Sequence, residues 1–185
     1  YGIRIDTSSA DDSEIRNSTF LKTESGVLAS GVNGLVVENS TFDNIRTEGV
    51  LITTRNGDVA GLSIPNNTFS NTDEAVQLED NDGSSNVFSG DIDVTGNNFL
   101  SSIGSFAIIA VENADATPSG GVFNDIPVDA TNNYYGAASG PSGPDGVESG
   151  TGSVVDVDGE TESDEFTFTP FSSFELPNSD APSVA

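Results

Sequence analysis

Two acidic strings hold the residues best suited to chemistry: Asn71-Thr72-Asp73, and Glu79-Asp80-Asn81-Asp82 just beyond it. Paired carboxylates suit glycoside hydrolysis, one as the acid and the other as base or nucleophile. Asp73, Asp80 and Asp82 are therefore the catalytic candidates, and an acidic turn between structural elements is the competing reading. The same region offers oxygen ligands. Asp80-Asn81-Asp82-Gly83 and Asp156-Val157-Asp158-Gly159-Glu160 alternate carboxylates before a glycine, as many calcium loops do, although neither has the full EF-hand spacing. Calcium at Asp80 and Asp82 or at Asp156 and Asp158 is thus an option, and no cofactor is required. Lyase chemistry would instead need a base near a sugar proton and cations for the developing negative charge. Lys22 and Arg46 follow successive aromatic residues by two and four positions, which could bring them to one side of the molecule; the alternative is surface pairing with Glu24 and Glu48.

The charge balance narrows the partners. Arg4, Arg16, Lys22, Arg46 and Arg55 face 30 acidic residues, for a formal net charge of -25. Binding to phosphates or anionic lipid surfaces depends on clustered cations, so nucleic acid and membrane surfaces are disfavoured. Self-repulsion at this charge would strain a compact fold in dilute buffer, whereas molar salt shortens the screening length to about 3 Å. High-salt adaptation follows as the simplest expectation. The chain has no Cys and no His, which removes disulfides, thiolate sites and imidazole acid-base chemistry. No apolar run approaches a membrane span, and the first residue, Tyr1, marks a processed product or a fragment.

The elements that must position these groups show themselves as a repeat. Asn17-Ser18-Thr19-Phe20, Asn39-Ser40-Thr41-Phe42, Asn66-Asn67-Thr68-Phe69, Gly96-Asn97-Asn98-Phe99 and Thr131-Asn132-Asn133-Tyr134 share one pattern. The aromatic positions are 22, 27, 30 and 35 residues apart, so a short unit carries loops of growing length. Fixed short elements with elastic loops describe a solenoid. Alternating apolar pairs precede the later copies: Leu35 and Val37, Leu62 and Ile64, Ile92 and Val94, Ile126 and Val128. A period of two means strand. Second apolar runs follow at 49–52, 75–78 and 106–109. Only Asn33-Gly34 and Asn56-Gly57 offer tight hairpin turns, too few for an antiparallel meander. The reading is an all-β, single-stranded, right-handed parallel β-helix of about five to six coils, with strands about 4.8 Å apart.

In that arrangement Phe20, Phe42, Phe69, Phe99 and Tyr134 form one internal column, and Asn67, Asn97 and Asn132 stack beside them at a bend. Asn17, Asn39 and Asn66 also satisfy the Asn-x-Ser/Thr rule for glycan attachment. Their coincidence with the repeat favours membership of the stack over a glycan.

On these residues the chain resembles the right-handed parallel β-helix repeat family, which includes pectate-lyase-like and NosD-like proteins, over roughly 1–136. The segment Asn132-Asn133-Tyr134-Tyr135-Gly136 through Ser139-Gly140-Pro141 is similar to an Asn-Asn-Trp-Trp-Gly and Gly-Pro element that ends many surface β-helices, with Tyr in place of Trp. The resemblance implies carbohydrate as ligand. It also gives Asn71-Thr72-Asp73 a counterpart in the β-helical pectin hydrolases, but their Gly-His-Gly and Arg-Ile-Lys elements have no equivalent here.

Three segments are expected: coils over 1–136, a Gly/Pro-rich loop with short capping strands over 137–175, and a linker or tail over 176–185. Ile3 and Ile5 look like a rung already in progress, so upstream residues or another chain would cover that end. Two functional classes remain open. One is a non-catalytic extracellular module on a halophile cell surface or virus particle, structural or recognising polysaccharide. The other is a polysaccharide lyase or glycoside hydrolase. The missing His and scarce cations favour the first.

Overall fold

A computed structural model describes residues 1–6, 10–80, 86–100, 103–112, 127–143, 150–157 and 166–177, excluding the side chains at 80, 109–112, 156–157 and 166. The first coil holds β1 (Ile3–Ile5), β2 (Glu14–Arg16) and β3 (Thr19–Leu21), and the second β4 (Val27–Ser30), β5 (Val36–Glu38) and β6 (Thr41–Asp43). Next come β7 (Glu48–Thr53), β8 (Val59–Ser63) and β9 (Thr68–Ser70), then β10 (Glu74–Asp80), β11 (Phe88–Asp93) and β12 (Asn98–Phe99). The last passes hold β13 (Phe106–Glu112) and β14 (Val128–Asp129), then β15 (Val154–Val157) and β16 (Phe166–Thr167). No α-helix occurs among the described residues.

Equivalent strands pair in parallel from rung to rung. One sheet has the order β1-β4-β7-β10-β13-β15, the second β16-β14-β11-β8-β5-β2, and the third β12-β9-β6-β3. The fold is therefore an all-β parallel solenoid, as the repeat requires. β15 and β16 extend the first two sheets by another rung.

Register puts like side chains over like. Val27, Val50, Val76, Ile108 and Val155 form an inward column of the first sheet, and all five are buried. Leu35, Val37, Leu62, Ile64, Ile92, Val94 and Val128 are buried as their alternation demands, while Ile126 lies outside the described residues. Phe20, Phe42, Phe69 and Phe99 stack face to face, with centroids 4.8, 4.8 and 5.4 Å apart. Strand spacing dictates that contact, and each such pair adds about 0.5–1.5 kcal/mol beyond its buried area. The rings press on the strand that opens the next coil: a Cβ at Gly26 would come within 2.6 Å of the Phe42 ring, and one at Gly49 within 2.8 Å of Phe69.

The fifth copy needs a correction. Tyr135, not Tyr134, completes the column, stacked on Phe99 at 5.4 Å and fully buried. Tyr134 is half-buried, and its backbone N–H donates to the Asn97 carbonyl. The final step is thus 36 residues, and side chains alternate in and out along a strand, so a shift of one residue reverses which tyrosine faces the core. The same shift makes Asn133, not Asn132, the inward amide.

The bend before the third sheet explains the repeat's polar residues. The N–H of Ser18 donates to Ser40 Oγ (3.1 Å), that of Ser40 to Asn67 Oδ1 (2.9 Å), that of Asn67 to Asn97 Oδ1 (2.8 Å), and that of Asn97 to Asn133 Oδ1 (2.7 Å). Each amide also donates backwards: Asn67 to the Val37 carbonyl, Asn97 to Ile64 and Asn133 to Val94, all at 2.7–2.8 Å. Buried backbone groups that a bend would otherwise leave unpaired are satisfied rung by rung. The residue before each ladder member has a positive φ: Asn17 (49°), Asn39 (51°), Asn66 (58°), Gly96 (66°) and Asn132 (59°). Asn and Gly tolerate this left-handed region, which turns the chain inward. Asn17, Asn39 and Asn66 are therefore bend residues beside the ladder and not members of it.

Candidate functional site

The turn between the third sheet and the first also repeats, and it opens outward. It starts with another positive-φ residue in each coil: Lys22 (54°), Asn44 (57°) and Asn71 (50°). Backbone bonds then lock the turns together, with Arg46 N donating to the Thr23 carbonyl, Thr47 N to Glu24, Gly104 N to Thr72 and Ser105 N to Asp73, all at 2.8–3.0 Å. Between these turns runs a groove of about 750 Å³, lined by Lys22, Thr23 and Glu24, by Asn44, Ile45 and Arg46, by Asn71, Thr72 and Asp73, and by Gly104. Ile45 and Thr72 are buried in its floor. The other side chains supply charge and amides.

Of the five cations, Arg4 pairs with Asp6, and Arg16 with Glu14 and Glu38. Lys22 and Arg46 are both exposed and in no ion pair with the described residues. The surface pairing expected for them with Glu24 and Glu48 is therefore not what forms. Thr23 Oγ1 is buried and has no hydrogen-bond partner among the described residues. Asp43 accepts from Ser70 Oγ at 2.7 Å and Asn71 Nδ2 at 2.8 Å. The Asn71 and Ser70 bonds, with Lys22 nearby, hold its carboxyl below the usual range.

Carboxylates sit at the other side of the turn. Ser105 Oγ donates to Asp73 Oδ1 at 2.6 Å. Glu48 and Glu74 are in register on β7 and β10. Glu48 Oε2 lies 2.8 Å from Ser25 Oγ and 2.7 Å from Thr47 Oγ1. Burial pushes the Glu74 carboxyl up, and the charges of Glu48 and Asp73 push it further.

The catalytic candidates do not converge. Asp73 lines the groove, but Asp80 ends β10, and strand geometry separates the two by about 20 Å. Asp82 lies outside the described residues, as does Asp158. Asp156 pairs in register with Ile109, which pairs in turn with Gln77 and not with Asp80. Among the described residues no three His, Cys, Asp or Glu side chains come together to hold a metal ion. The sequence did hint at the groove through Lys22 and Arg46. Thr23, Asn44 and Asn71 escaped notice because they are ordinary polar residues until the coils stack.

A parallel β-solenoid with a polar lateral groove is the class these features define. The family model described as "Periplasmic copper-binding protein (NosD)" matches residues 1–124, and the chain belongs to that family. No curated protein and no solved structure matches it. Copper does not fit the side chains of this member. Protein copper sites draw on thiolate, thioether and imidazole ligands, and the sequence contains no Cys, no Met and no His.

Proposed function

We propose that the chain is a non-catalytic recognition module that works outside the cytoplasmic membrane, on a cell surface or virus particle in concentrated salt, and binds acidic polysaccharide along the lateral groove. The observation that carries this reading is the placement of two ion-pair-free cations, Lys22 and Arg46, in one groove of a chain whose net charge is -25. In molar salt the remote carboxylates are screened beyond about 3 Å, so groups in direct contact decide what binds. Asn44, Asn71 and the unpartnered Thr23 hydroxyl supply the donors and acceptors that sugar hydroxyls need. The family's periplasmic description supports a place beyond the cytoplasmic membrane, and no helix among the described residues is long and apolar enough to cross a membrane.

A hydrolase or lyase is the second reading. It draws on the raised Glu74 carboxyl beside Asp73 and Glu48, since groups whose proton affinities are pushed apart suit acid and base roles. Incubation with uronate-bearing, sulfated and neutral polysaccharides in molar salt separates the two. The module reading expects retention of the acidic polymers with no new reducing ends or unsaturated products; turnover of any polymer contradicts it.

A further inference from the structure

We propose that Asn17 is an N-glycan acceptor on the folded chain and that Asn39, one rung away, is not. All three Asn-x-Ser/Thr sites, at Asn17, Asn39 and Asn66, fall on the same bend of successive coils. A glycan there would be incompatible with packing if these side chains built the inner ladder, but the ladder uses the following residue in each case: Ser18, Ser40 and Asn67. The acceptor amides are left at the rim.

The three rims differ. Asn17 is exposed, its side chain makes no hydrogen bond to the described residues, and the Thr19 hydroxyl that completes its motif is exposed as well. Asn39 is half-buried, has a partner, and lies between two rungs about 4.8 Å away. A sugar ring does not fit that interval. Asn66 is exposed, but Thr68 is 6% accessible, so the folded chain hides half of that motif. Asn17 alone presents both groups.

The transfer balances with a lipid-linked oligosaccharide as donor. A bond forms between Asn17 Nδ2 and the anomeric carbon, the bond from that carbon to the lipid phosphate breaks, the lipid phosphate leaves, and the amide releases one proton to solvent. No oxidant or reductant takes part. Asn17 and Lys22 flank β3 at opposite ends, at most about 15 Å apart along the strand, so the glycan would border the groove without filling it.

The test offers the folded, unglycosylated chain to a purified oligosaccharyltransferase of Asn-x-Ser/Thr specificity with its lipid-linked donor, alongside a urea-unfolded sample. Peptide mapping by mass spectrometry should find the glycan at Asn17 in the folded chain and at all three sites in the unfolded one. Asn17→Gly, which keeps the left-handed bend, and Thr19→Ala should each abolish modification of the folded chain. A folded chain left bare at Asn17 while the unfolded chain is modified there, or one modified at Asn39, would overturn the assignment. So would an unmodified Asn17 peptide in protein isolated from its own cells.

Discussion

Two turns flank the third sheet, and both begin with a residue in the left-handed region, yet they serve different ends. At the entry the residue after the bend points inward, and its oxygen accepts the N–H of the preceding rung from Ser18 through Asn133. At the exit the side chains of Lys22, Asn44 and Asn71 and their successors point into a groove. One edge consumes its hydrogen bonds internally. The other keeps cations, amides and a buried hydroxyl uncommitted. Backbone geometry alone does not separate a structural turn from a recognising one; what separates them is whether the next polar group finds its partner within the coil.

That contrast is open to attack from both sides. The largest effect belongs to the inner column: Phe69→Ala removes a ring stacked on both faces and should cost about 3–5 kcal/mol, read as a lowered denaturant midpoint. A loss under about 1 kcal/mol would mean that the column does not hold the coils together. Next comes Asn97→Ala, which strips the acceptor from Asn67 N and the donor from the Ile64 carbonyl. Two buried groups left unsatisfied should cost about 2–4 kcal/mol in the same measurement. The exit edge should respond in the opposite sense.

At Glu74 burial and neighbouring acids raise the carboxyl above its unfolded value. The folded chain then holds that proton more tightly than the unfolded chain, so the contribution to stability is complete in acid and declines as pH rises through the raised value. Glu74→Gln should accordingly raise the melting temperature at neutral pH, with the gain vanishing in acid; an equal change at both pH values would contradict the linkage.

Much of the entry edge was legible in the sequence, because apolar alternation and a recurring aromatic report directly on which side chains face a core. Phe20, Phe42, Phe69 and Phe99 needed no structure to align. The fifth copy failed because Asn132-Asn133-Tyr134-Tyr135 offers two amides and two rings in succession, and only geometry shows that Asn132 is the bend equivalent of Asn66. Ser18 and Ser40 were hidden for another reason: a hydroxyl replaces the amide as acceptor, so residue identity changes while the hydrogen bond persists. The exit groove was harder still. Lys22 and Arg46 were conspicuous as rare cations, but Thr23, Asn44, Asn71 and Asp73 acquire meaning only when coils of unequal length bring their turns together. Asp73 and Asp80 looked like a pair because they are close in sequence, and a strand between them sends them to opposite ends.

The groove is where the account is most directly exposed. Titration calorimetry of the chain with a uronate oligosaccharide in molar salt, repeated on Lys22→Ala/Arg46→Ala, should show binding weakened at least tenfold, about 1.4 kcal/mol or more, with melting temperature unchanged. Equal affinity for the two proteins would contradict the claim that this edge of the solenoid recognises the ligand.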